Sequence, residues 1–201
     1  MKEETLDRWR HHRMLSQIKP LITNESTWLT IGDGRYGTDA HFIIQQGGKA
    51  HATDISDKLL KIGNKAGFID SFGAENAEKL SFADRSYDYV LIKEAFHHFP
   101  RPWIALHEAF RVCRKAVILI EPNDGIYGLR QSIAKKILLV AKRLLKKSSC
   151  QYGFEPVGNF VYSINSKELE KFMLGMHYRN IATKGMNDHY EKGVEFINLN
   201  T

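Results

Sequence analysis

Short apolar runs alternate with amphipathic stretches along most of the chain. Residues 28–31 (Trp-Leu-Thr-Ile) form an apolar run closed by Gly32, the pattern of a buried strand. Residues 50–53 and 87–92 repeat it, 116–120 are the most apolar of all, and a weaker strand is written around 68–72. Helical spacing fills the gaps. Leu6, Trp9, Met14 and Ile18 share a face in a polar lead-in over residues 3–18. Thr38 and Asp39 are placed to cap a helix whose Ala40, Ile43 and Ile44 turn inward before Gly47 and Gly48 stop it. Further helices are predicted over 58–67 and 102–113.

Strands that alternate with helices predict an α/β fold: an open, mostly parallel sheet with helices on both faces. At 201 residues the chain has room for one such domain, spanning 1–201, with residues 1–20 as a helical lead-in. No internal repeat or low-complexity linker divides it. After Pro122 the alternation breaks at a basic helical insertion, 125–150, and a loop over 153–159. It resumes with a helix near Ser166–Gly175 and a strand near 179–184. The apolar stretch 194–199 reads as a hairpin partner of that strand. The chain stops directly afterwards, which leaves a C-terminal truncation open.

Composition narrows the class. A hydrophobic share of 43% and a charged share of 26% suit a soluble globule and exclude a disordered or fibrous chain. No apolar run reaches the roughly 18 residues needed to span a bilayer, and the first residues hold acids and histidines where a signal peptide has an apolar core. The expectation is a cytoplasmic protein. Cys113 and Cys150 lack C-x-x-C spacing and read as reduced thiols; the nine histidines lack the paired spacing of a zinc site, so no metal is expected.

The net charge of +6 is concentrated in one place. Seven basic residues and no acid lie between Gly125 and Cys150, and the rest of the chain is nearly neutral. Within 126–147, Ile126, Leu129, Ile133, Ile137, Val140 and Leu144 form one face of a helix, with Lys135, Lys142, Arg143 and Lys146 opposite. Three roles compete: a lid over a substrate pocket, a helix lying on a membrane surface or meeting a lipid-linked substrate, and a nucleic-acid contact. The last is disfavoured because no basic stripe continues elsewhere.

The strongest local motif is Gly32-x-Gly34-x-x-Gly37 between a strand and a helix, followed 22 residues after Gly32 by Asp54 at the end of the next strand. Glycines there permit a tight turn and a close approach of backbone to ligand, and a carboxylate at Asp54 can accept both hydroxyls of a ribose. A nucleoside-bearing ligand follows. The bland alternative is a plain turn, with Asp54 capping the next helix. Dinucleotides and S-adenosylmethionine both use this scaffold. Asp33 inside the loop would oppose a dinucleotide's phosphates and suits a ligand without them, although Arg35 could offset its charge.

With these residues in view the sequence resembles the class I S-adenosylmethionine-dependent methyltransferases, in their small-molecule, type 11-like branch. WLTIGDGRYG stands at that family's glycine motif and ATDIS at its ribose acid. AENAEKLSFADRSYDYVLIKEAFHHFPRPWIALHEAFRVCRKAVILIEP runs through its third, fourth and fifth strand motifs. The resemblance covers about residues 27–122 and implies a Rossmann-like fold with S-adenosyl-L-methionine as cofactor. It implies that Gly32, Asp33 and Gly34 lie under the methionine and ribose, with Gly37 completing the loop. Asp54 would hold the ribose hydroxyls, Ile55 the adenine face, and Asn76 and Ala77 the adenine edge. Backbone atoms of Lys93 would meet the methionine. Two positions depart from the pattern: Thr30 replaces an acid before the first glycine, and Lys115-Ala116 a Gly-Gly turn.

Methyl transfer is an in-line displacement that needs positioning and, for a hydroxyl acceptor, a base. His97 and His98 follow the fourth strand and have a suitable ordinary pKa, with His98 slightly preferred; packing or local hydrogen bonding is the rival role for both. Glu121, Asn123 and Asp124 end the fifth strand, where they could hold a hydroxyl-rich acceptor or simply shape a turn. Asp188, His189 and Tyr190 form a third polar cluster. The expected activity is methylation of a small molecule at oxygen, with a sugar or lipid-linked glycan precursor as acceptor. An NAD(P)-dependent oxidoreductase and a non-catalytic binding module of the same fold are the alternatives.

Overall fold

In the computed structural model, which describes residues 6–123, 153–154, 160–162 and 164–186, five strands pair in parallel in the order β3-β2-β1-β4-β5. They are β1 (Thr27–Ile31), β2 (Lys49–Asp54), β3 (Phe72–Ala74), β4 (Tyr87–Lys93) and β5 (Cys113–Ile120). Helices α1 (Leu6–Ser16), α2 (Thr38–Gln45), α3 (Lys58–Lys65) and α4 (Pro102–Val112) surround them. A short antiparallel pair, β6 (Gly153–Phe154) and β7 (Phe160–Val161), precedes α5 (Ser166–Gly175).

The two-residue period of a strand sorts the core into layers. Leu29, Ile31, Val90 and Ile92 face Ala105, Leu106, Ala109 and Val112 of α4. Trp28 and Leu91 point to the opposite face, where Leu15, Ile18, Phe42 and Ile43 cover them. Both faces of β1 and β4 are therefore buried, which is why these strands read as continuous apolar runs. Register then fixes function: Ile31 lies beside Thr53 on one side and Ile92 on the other, so three strands end together. The loops that follow them meet at one edge of the sheet, at the point where strand order reverses around β1.

Four expectations change. The third strand uses Phe72-Gly73-Ala74, paired with Ala52-Thr53-Asp54, while the apolar residue Ile69 packs with Ala40, Ala52 and Leu60 as a plug before it. Thr38 and Asp39 do not cap α2. Gly37 is its N-cap and has no side chain to offer, so Asp33 reaches across and accepts from the Asp39 and Ala40 amides (3.1 and 2.9 Å). Residues 179–184 form no strand, since they have no ladder partner among the described residues. The stretch expected as a plain loop over 153–159 opens with β6, which pairs with β7. The basic helix at 126–147, Asp124, the 188–190 cluster and the 194–199 strand lie outside the described residues. Among those described, no helix is long and apolar enough to cross a membrane.

Candidate active site

The glycine loop is built around a close approach. Gly32 sits at φ +78°, a left-handed conformation that suits glycine, with Ala95 against the position of its missing side chain. A Cβ on Gly34 would stand 2.6 Å from Oδ2 of Asp54, so only glycine lets the loop lie along that carboxylate. The Asp33 amide donates to Thr53 O (2.9 Å) and ties the loop to β2. Asp54 Oδ1 accepts from the Ser56 amide (3.1 Å), and the Asp54 carbonyl accepts from the Glu75 amide (2.8 Å). One carboxylate thus stands at the junction of the β1 and β2 loops. Gly37 opens α2 with Ile69 against it.

Asp33 itself turns inward. Besides the two amides it accepts from the Thr30 hydroxyl (3.0 Å), so the threonine that departs from the family pattern supports this buried acid. Burial, then the neighbouring Asp39, pushes the Asp33 pKa up to about 8 against the downward pull of its three donors. Asp33 therefore does not stand against a ligand's phosphates, because its carboxyl faces the core side of the loop.

Lys93, at the end of β4, is buried, with its side chain only 4% exposed. Its Nζ lies 3.3 Å from Asp39 Oδ1 and 2.8 Å from Nδ1 of His11 on α1. Further contacts draw the same helix over this edge: Arg10 bonds Glu94, and Arg35 of the glycine loop bonds Asp7 (2.7 Å). Glu94 adopts φ +50°, an uncommon conformation for a non-glycine residue, held by its amide's bond to Ile120 O (2.8 Å). Met14 and Leu15 anchor α1 in the core, while its first two turns are held by these charges. No local pattern signals these contacts of α1, since the partners are 28 to 84 residues apart.

Next to Asp54, the apolar side chain of Ile55 is 73% exposed. Asn76 uses its Oδ1 to accept from the Glu78 amide (2.9 Å), a local turn that leaves its side-chain amide N–H groups as the available donors. Ala77 is buried in the core beneath. The 80–84 segment is clasped by Arg111, which donates to Leu80 O, Phe82 O, Asp84 and Glu108.

On the far side of Lys93 the chain forms a 3-10 turn, Phe96–His98. Glu121 reaches into it. Its Oε1 accepts from the amides of Ala95 and Phe96 (3.0 and 2.9 Å), and its Oε2 bonds Nδ1 of His97. The Glu121 side chain is 4% exposed, and the rings of His97 and His98 lie 4.1 Å apart. Glu121 and the histidines, read separately in the sequence, are one unit. Asn123 is turned to α5, its Oδ1 accepting from Ser166 N (3.4 Å). The polar edge expected to hold an acceptor is thus largely engaged internally. Among the described residues no three His, Cys, Asp or Glu side chains gather as a metal site requires.

Residues 29–120 match the family described as a methyltransferase domain. A ubiquinone/menaquinone biosynthesis C-methyltransferase of Sinorhizobium fredii is 31% identical over 110 residues, 51% of this chain and 43% of that protein. A demethylmenaquinone methyltransferase of Bacteroides fragilis is 25% identical over 163 residues, covering 75% of this chain and 66% of the other. The chain therefore spans less than half the length of the first relative and about two thirds of the second. Among solved structures, the YcgJ protein of Bacillus subtilis superposes with a TM-score of 0.60 at 19% identity, over 82% of this chain and 68% of that one. The 1,6-didemethyltoxoflavin-N1-methyltransferase of Burkholderia thailandensis, solved with 1,6-didemethyltoxoflavin and S-adenosylhomocysteine, gives 0.57 at 15% identity, over 85% and 70%. At these identities the structural likeness is one of fold.

Proposed function

We propose that this chain, whose residues 29–120 match a methyltransferase domain, is a class I S-adenosylmethionine-dependent methyltransferase that methylates a small molecule bearing an ionisable hydroxyl. The observation that carries the reading is the contact of Gly34 with Asp54, a cradle that any side chain on the loop would fill. S-adenosylmethionine, when bound, supplies an electrophilic methyl carbon on a sulfonium. The protein's part is binding, orientation and proton removal. Asp54 accepts the ribose hydroxyls, Ile55 covers the adenine face, and the Gly32–Gly34 backbone runs under the methionine. Asn76, with its Oδ1 already engaged, offers N–H donors to the adenine ring nitrogens.

His97 or His98 takes the acceptor's hydroxyl proton, which makes either that oxygen or a conjugated ring carbon nucleophilic. A flat, aromatic hydroxyl acceptor of the quinol kind is the finer reading. It is supported by the names of the two relatives above, both quinone methyltransferases. The sugar acceptor expected from a polar edge loses its main ground, since Glu121 and Asn123 bond within the protein.

Calorimetric titration with S-adenosylhomocysteine, with NAD in parallel and Asp54→Ala as control, tests the cofactor. Micromolar binding of the first alone, lost in the variant, is the expected result. Binding of NAD instead, or of neither, would overturn the reading. A screen of hydroquinones against hexoses with labelled methyl donor then tests the acceptor class.

A further inference from the structure

The bond between Glu121 and His97 does more than hold a loop. We infer that Glu121 is a positioning residue that fixes the tautomer of His97, with the proton on Nδ1 and the lone pair on Nε2 as a base at this position requires; this rests on the methyl-transfer reading above. A neutral imidazole carries its proton on one nitrogen and a lone pair on the other. An ionised carboxylate only accepts, so Oε2 requires the proton on Nδ1 and leaves the lone pair on Nε2. The other oxygen makes the arrangement one-directional. Oε1 already accepts from the Ala95 and Phe96 amides, which fixes the carboxylate plane and demands an acceptor at that position. The backbone is pinned as well: the His97 carbonyl accepts from the Tyr162 amide at the end of β7 (2.8 Å). Ring and main chain of His97 are therefore set from two separate places, the end of β5 and the end of β7.

The geometry dictates what an amide would do in place of the acid. In Glu121→Gln the side-chain carbonyl must stay on the two backbone amides, since an NH₂ there would face two donors. The NH₂ is thereby turned to His97 and forces Nδ1 to become the acceptor. The proton moves to Nε2, and the lone pair that would receive the acceptor's proton disappears. The volume and the loop contacts are preserved.

The test reads the ring directly, on the full chain, with neither cofactor nor acceptor present. Long-range ¹⁵N–¹H spectra of the histidine rings, with His97→Gln to assign the signals, report the tautomer. The expected result is Nδ1–H in the parent and Nε2–H in Glu121→Gln. Affinity for S-adenosylhomocysteine should stay within about twofold, because each tenfold would need about 1.4 kcal/mol of lost contact. A parent His97 already carrying Nε2–H, or a variant that keeps Nδ1–H, overturns the proposal. If Glu121→Gln does not fold, the parent tautomer with Glu121→Asp decides: the shorter acid cannot span both the amides and the ring, so the His97 signals should show a mixture, and an unchanged pure Nδ1–H form overturns the proposal. Absence of S-adenosylhomocysteine binding in the parent would instead defeat the functional reading and leave the tautomer result standing.

Discussion

Gly34 and Asp54 are packed so closely that a single methyl group on the glycine would come within 2.6 Å of the carboxylate oxygen. The atom in the way is the end of a short side chain, not backbone, so the fold can absorb the substitution by moving the acid. Gly34→Ala should therefore lower affinity for S-adenosylhomocysteine by at least about tenfold while unfolding free energy changes by about 1 kcal/mol or less. Calorimetry beside urea denaturation measures both.

Asp54→Ala removes the proposed ribose acceptor outright. Hydrogen bonds to a charged group contribute roughly 1.5–3 kcal/mol each, so about 3 kcal/mol of binding, on the order of a hundredfold in Kd, should be lost. Adding Gly34→Ala to this variant should cost little more, since both act on one contact. Strict additivity in the double variant would show that the glycine acts elsewhere.

The Lys93–Asp39 pair should prove asymmetric. Lys93→Met leaves the buried Asp39 carboxyl without its cation and should destabilise the protein by about 3 kcal/mol or more. Asp39→Leu added to Lys93→Met should restore most of that, because an apolar pair needs no desolvation. Urea denaturation of the single and double variants gives the coupling; equal stabilities would mean the pair is not buried in solution.

His11 gives a pH dependence. Burial first, then Lys93, lowers its pKa from the ordinary 6.5, since the neutral ring accepts from the Lys93 ammonium while a protonated one would face it as a second cation. Asp7 and Glu94 pull the other way. Below about pH 6.5 the unfolded chain binds more protons here than the folded one, so the His11 contribution is whole above that pH and is lost as pH falls through the depressed value. Asp33 and Asp39, whose pKa values are raised, have the opposite sign. Comparing the parent with His11→Asn between about pH 7.5 and pH 5 cancels them. The stability advantage of the parent should shrink as the solution is acidified; a constant difference would sink the assignment.

Much of this protein was legible before its structure because the responsible physics is local. Strands buried on both faces must be apolar, so β1 and the second half of β4 stood out, and the loop needs glycine for its turn at Gly32 and for its close approach to Asp54 at Gly34. The proposed ribose acid, Asp54, follows from its place at the end of the second strand. β3 was misplaced because an apolar plug, Ile69, resembles a strand and the true strand contains Gly73.

What the sequence could not contain is which oxygen meets which proton. Asp33 caps α2 instead of facing a ligand, Lys93 is paired to a helix 82 residues away, and Glu121 orients His97 across 24 residues. Those pairings depend on parallel strands ending level at one sheet edge, a register that only packing of both faces determines. Sequence determined the scaffold and its cofactor loop, because periodicity and backbone freedom are written residue by residue. Tertiary structure decided the roles of the buried charges, because a charge taken out of water takes whatever partner the fold brings within reach.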